Sequence, residues 1–67
     1  MMLHYTTKRG AYMGRRIEPS ALESEIHKMT KRRIECRAKD DDGTEVGAVW
    51  KDAGRWHWYF DRDAMNT

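Results

Sequence analysis

His57 stands two residues from Arg55 and two from Tyr59, a spacing that puts all three side chains on one face of a strand. A neighbouring strand carrying Glu35 would add a carboxylate. Together the four supply an acid, a base and an anion-binding guanidinium, the groups needed to cleave a phosphodiester such as RNA. The ordinary outcome of such a pattern is a solvated histidine beside a glutamate, and no motif of a small ribonuclease accompanies it. The chain is therefore read as non-catalytic, with no catalytic residue assigned.

Metal and cofactor chemistry finds no better footing. His4, His27, His57 and Cys36 lack the close spacing of a zinc site. Asp40-Asp41-Asp42-Gly43 lacks the alternating ligands and terminal glutamate of an EF-hand, and turn chemistry accounts for it. No phosphate-binding loop, nucleophile elbow or dinucleotide fingerprint occurs. No metal site and no cofactor are expected.

Binding chemistry is better represented. Lys31, Arg32 and Arg33 form one basic cluster, and Arg37, Lys51 and Arg55 follow on what read as strands. Clustered Lys and Arg neutralise phosphates and release counterions. The bland reading is long cations fanning into solvent, where exposed ion pairs contribute little. Tyr59 with Arg37 offers an aromatic and a guanidinium for stacking on an unpaired base. Lys8, Arg9, Arg15 and Arg16 are an auxiliary basic set near the start.

These residues must be positioned by a small number of elements. Ser20-Ala21-Leu22-Glu23 has the form of a capping box and follows Pro19. Leu22, Ile26 and Met29 make one apolar stripe at helical spacing. Glu23 and Glu25 sit early and Lys28, Lys31 and Arg32 late, as the helix dipole favours. A helix over about 21–32 is expected.

Three alternating segments follow, built on Ile34-Cys36-Ala38, Val46-Ala48-Trp50 and Trp56-Trp58-Phe60. Asp41-Asp42-Gly43 and Asp52-Ala53-Gly54 both read as three-residue hairpin loops ending in a left-handed glycine. That register sets Trp50 opposite Trp56 and Ala48 opposite Cys36 and Trp58. All three tryptophans then lie in the core, with Cys36 pointing inward. The opposite face carries the rows Arg33–Lys51–Arg55, Glu35–Val49–His57, Arg37–Gly47–Tyr59 and Lys39–Glu45–Asp61.

The expected fold is thus α+β, one helix on a three-stranded antiparallel meander in the order α-β-β-β over residues 17–67. Residues 1–16 precede it as a β-hairpin turning at Lys8-Arg9-Gly10 or as a flexible basic arm. Met13-Gly14 would also serve as a start, which would make the first twelve residues dispensable.

The 67 residues bound what such a fold can hold. Apolar residues are 39% and charged residues 36% of the chain, and Leu, Ile, Val and Phe number eight in all. That leaves a thin core and little room for a deep cleft, so surface binding is favoured over catalysis. The net charge of +2 hides a division: residues 1–39 carry ten Lys/Arg against four Glu, and residues 40–67 three against seven Asp/Glu. Such polarity suits an anionic partner, and equally a homodimer. A lone cysteine forms no internal disulfide and points to a reducing cytoplasm. No signal peptide and no membrane-spanning run is recognised.

The expectation is a small binding module engaging nucleic acid or a nucleoprotein complex through Lys31, Arg32, Arg33, Arg37, Lys51, Arg55 and Tyr59. The alternative is a phage- or mobile-element-type inhibitor of a host protein, gripping it through exposed aromatics or the acidic segment Asp40, Asp41, Asp42, Glu45, Asp61 and Asp63.

Overall fold

The computed structural model describes residues 1–66. Strands β1 (Met2–Thr6) and β2 (Tyr12–Arg16) form a hairpin. A 3-10 turn over Pro19–Ala21 leads into helix α1 (Leu22–Arg32), and β3 (Cys36–Lys39), β4 (Glu45–Asp52) and β5 (Arg55–Phe60) follow. A second 3-10 turn covers Arg62–Asn66. All neighbouring strands are antiparallel, in the order β2-β1-β3-β4-β5. The α+β class with one helix on an antiparallel sheet stands, but the sheet has five strands rather than three. The hairpin joins it because β1 has its own inward side chain, Leu3, to bury beside Ala38 of β3.

The helix keeps its stripe and loses its cap. Leu22, Ile26 and Met29 are buried against the sheet. No side chain caps the first turn. The 3-10 turn supplies the acceptors instead: the Ala21 N–H donates to Glu18 O (2.9 Å) and the Leu22 N–H to Pro19 O. Backbone carbonyls thus serve the Ala21 and Leu22 amides at the start of the helix, where no side chain caps.

The meander register differs from the expected one, for a different reason in each hairpin. Asp41-Asp42-Gly43 is the three-residue loop read from sequence: Gly43 has φ +83°, and Lys39 still opposes Glu45. A bulge then intervenes, since Ala38 opposes Gly47 and leaves Val46 as the extra residue. From there every pair is shifted by one, to Arg37 with Ala48 and Cys36 with Val49. The second loop is shorter than expected. Asp52 opposes Arg55, and Ala53 (φ +52°) and Gly54 (φ +77°) make a two-residue loop with both central residues left-handed.

One residue of slip exchanges the faces of a strand. Val49 turns to the helix, while Ala48 and Trp50 turn away from it, opposite Tyr59 and His57. Gly47 now lies beneath the helix: a Cβ there would stand 3.2 Å from Ile26 Cδ1 and 3.3 Å from Leu22 Cδ1. The bulge and a residue without a side chain together let the helix settle.

The tryptophan core is accordingly replaced by an aliphatic one. Met1, Leu3, Ile17, Leu22, Ile26, Met29, Cys36, Ala38, Val46 and Val49 form the buried cluster, with Trp56 and Phe60 packed against its margin. Trp50 and Trp58 are exposed. Leu3, Leu22, Ile26 and Val49 are fully buried, each worth about 1.5–3 kcal/mol relative to exposure. Beside them lies Glu25, nearly buried, in a hydrogen-bonded ion pair with Arg15 of β2 and 3.8 Å from Lys28 Nζ. No helix is long and apolar enough to cross a membrane among the described residues.

Candidate functional site

Strand direction decides which loops meet. The β1–β2 loop, the α1–β3 connection and the β4–β5 loop all lie at one end of the sheet. The β3–β4 loop and the ends of β2 and β5 lie at the other. The first end gathers Lys8 and Arg9 from one hairpin tip, Lys31, Arg32 and Arg33 from the end of the helix, and Lys51 and Arg55 around the last turn. All seven are exposed, and among the described residues none of them is in an ion pair. The acids at this end are Glu35, which accepts the Lys51 backbone N–H (3.1 Å), and Asp52.

The opposite end is acidic, with Asp40, Asp41, Asp42, Glu45 and Asp61. Two three-residue loops of the same design close the two ends, Lys8-Arg9-Gly10 at one and Asp41-Asp42-Gly43 at the other. Gly10 (φ +88°) and Gly43 each donate back three residues, to Thr7 O and Asp40 O at 2.9 and 3.0 Å.

Between the ends, the sheet face away from the helix forms a depression of about 570 Å³. Its central row runs Gly14, His4, Arg37, Ala48, Tyr59 across the five strands. The next row, nearer the cationic end, holds Tyr12 opposite Thr6 and Trp50 opposite His57. Aromatic rings stand on both flanks. On one, Tyr12 stacks on His4 (17° between rings) and its hydroxyl hydrogen-bonds to His4 Nδ1 at 2.7 Å. On the other, Trp50 stacks on His57 (5.5 Å between centroids) and meets Tyr59 edge-on. Ala48 forms the floor, small enough to leave the space open.

The charges lining the depression balance, Arg37 and Lys39 against Glu35 and Glu45. Tyr59 donates its O–H to Glu45 Oε1 (2.7 Å), and Arg37 Nε lies 3.8 Å from Glu45 Oε2. Partial burial, then the Glu45 carboxylate, push the Tyr59 phenol up to about 12, so it remains a donor at neutral pH. Among the described residues, no three His, Cys, Asp or Glu side chains converge to hold a metal ion.

The residues singled out from the sequence therefore divide. Lys31, Arg32, Arg33, Lys51 and Arg55 come together with Lys8 and Arg9 at one end. They do so from a hairpin tip, a helix end and two strand ends and not as the expected row, because Lys51 opposes Trp56 and Arg55 opposes Asp52. Arg37 and Tyr59 share a row, as expected, with Ala48 between them in place of Gly47. Arg15 and Arg16 separate from the other cations. Arg15 is committed to Glu25, whose hydrogen bond raises its guanidinium pKa further, and Arg16 lies 3.8 Å from Asp41 at the acidic end. Glu35 and His57 are engaged elsewhere, by the Lys51 amide and the Trp50 ring. Sequence reasoning missed Tyr12, His4 and Trp50 as surface aromatics. The alternation of Leu3 with His4 was a usable signal for His4; the bulge that exposes Trp50 had none.

Comparison with protein-family models, curated proteins and solved structures finds no match to this chain. The site is therefore read from its own chemistry.

Proposed function

We propose that the protein is a small non-catalytic module that binds nucleic acid through its cationic end. The observation carrying this reading is the convergence, from the first hairpin tip, the end of the helix and the strand ends around the last turn, of seven exposed cations with no carboxylate partner among the described residues. Like charges held together by a fold are unfavourable unless a counterion answers them, and a polyanion answers several at once while releasing its own condensed ions.

Binding to generic RNA and DNA strands across a salt series tests this. Affinity falls with salt, with a log–log slope of about 0.7–0.9 per phosphate neutralised. Replacing Arg33 and Arg55 together by alanine lowers that slope by roughly 1.5 if each meets one phosphate. A slope unchanged in the double variant, or no binding at low salt, removes the reading.

The acidic end favours a second reading, capture of a host protein with a basic surface. Asp42 and Asp61 lie there in no ion pair among the described residues. Recovery of a single protein by pull-down, lost in an Asp42/Asp61 double asparagine variant, supports it.

A further inference from the structure

The geometry points to a single-stranded occupant, one of whose bases enters the aromatic depression while its phosphates lie along the cationic end. This rests on the nucleic-acid reading above and names what that reading leaves open: single strand or duplex, and where the bases go.

Three observations carry it. First, the depression and the cationic end are continuous. The Tyr12 and Trp50 row is the one next to the end that holds Lys8, Arg9 and Arg55, so a strand gripped there has the aromatic rings within one nucleotide's reach. Second, the two regions differ in charge. The depression is lined by two cations, Arg37 and Lys39, and two carboxylates, Glu35 and Glu45, with Arg37 and Tyr59 both turned onto Glu45 and Glu35 accepting the Lys51 backbone N–H. A net-neutral, aromatic surface is suited to a base and a cationic rim to phosphate. Third, the rings are held as platforms before any ligand arrives. Tyr12 is fixed by His4, and Trp50 is fixed between His57 and Tyr59. The volume of about 570 Å³ falls within the range of small-ligand pockets.

A duplex does not satisfy this arrangement. Its bases are already stacked on one another, and it would present phosphates to a depression that carries no net charge. Stacking on protein rings is open to unpaired bases and is tolerant of sequence, because every base has a π-face.

The experiment is fluorescence anisotropy of end-labelled twelve-residue strands with the full chain at low salt. The probes are oligoadenylate, an abasic strand of equal length and charge, and a duplex. The expected result is that oligoadenylate binds at least about fivefold more tightly than the abasic strand, as one stacked base provides, with the duplex weaker than oligoadenylate. Tyr12→Leu and Trp50→Leu each narrow that gap. Tyr12 is 71% exposed on an edge strand, so its variant keeps the test intact should Trp50→Leu fail to fold. Ribo- and deoxyribo-adenylate run side by side show which sugar is carried, and a base-dependent gap in either supports the inference. Equal affinity for abasic and adenylate strands, or a duplex bound as tightly as a single strand, overturns the base site while leaving the cationic-end reading standing. No binding of any strand overturns both and leaves the depression to a side chain of a protein partner.

Discussion

Cys36 is 3% exposed, opposite Tyr5 on one side and Val49 on the other. Burial pushes its thiol from 9.0 to about 11, with the Val49 backbone only partly offsetting. A thiolate formed there would lose its solvation and gain no counter-charge. The folded state therefore holds this proton after the unfolded chain has released it, so stability falls as pH rises. The contribution is complete below pH 9 and lost through about pH 11. Two units correspond to roughly 2–3 kcal/mol. Denaturant titrations at pH 8 and pH 11 should show the native chain losing about that much more than Cys36→Ala, which shares every other titrating group. Equal losses in the two proteins would show that Cys36 has no such role. At the same scale, Tyr59 and Glu25 do opposite work. Tyr59 organises the open face by holding Glu45, and Glu25 fixes the hairpin to the helix by holding Arg15.

At the scale of elements, the helix end is where structure and binding compete. The Arg33 N–H donates to Thr30 O and the Ile34 N–H to Met29 O (3.1 and 3.0 Å), closing the helix with the double bond pattern that favours a left-handed glycine. Arg33 occupies that position with φ +56°, a conformation costing a residue with a side chain about 1 kcal/mol. Arg33→Gly should therefore raise stability by about 0.5–1 kcal/mol while weakening oligonucleotide binding and lowering its salt slope. A variant that is both more stable and equally tight would mean that the guanidinium is not used. The helix itself was legible because Leu22, Ile26 and Met29 repeat at its period, and β3 because its burial alternates, whereas in β4 the bulge turns the alternation into a run of four buried residues. The strand register was not legible. Alanine rarely adopts the left-handed conformation that Ala53 takes, so the two-residue loop had no sequence signal. The Val46 bulge follows from the helix needing Gly47 beneath Leu22 and Ile26, a tertiary demand that no local pattern carries. That one-residue slip is also why Trp50 was expected inside the core and stands on the candidate site instead.

For the whole molecule, the 33 × 22 × 18 Å body is polarised because antiparallel strands return their turns alternately to its two ends, and the basic turns fall at one and the acidic turns at the other. The N-terminal hairpin serves both the fold and this polarity, and the two roles are separable. β1 is an interior strand between β2 and β3. Without residues 1–12 the sheet loses Leu3 and Met1 from the core, and the ladder edge of β3 is left open beside Cys36 and Ala38. A fully buried leucine removed with its cavity costs about 3–5 kcal/mol, and small domains have about 5–15 kcal/mol to lose. The truncated chain is expected to show no cooperative thermal transition. Lys8 and Arg9, by contrast, sit exposed at the tip, and replacing both by serine should change stability by no more than about 0.5 kcal/mol while reducing the salt slope of strand binding. Circular dichroism melts of the two variants, read beside their salt titrations, check both halves of the argument. A truncated chain that still melts cooperatively would make the hairpin an appendage, and a serine variant with an undiminished slope would confine the contact to the helix end and the last turn.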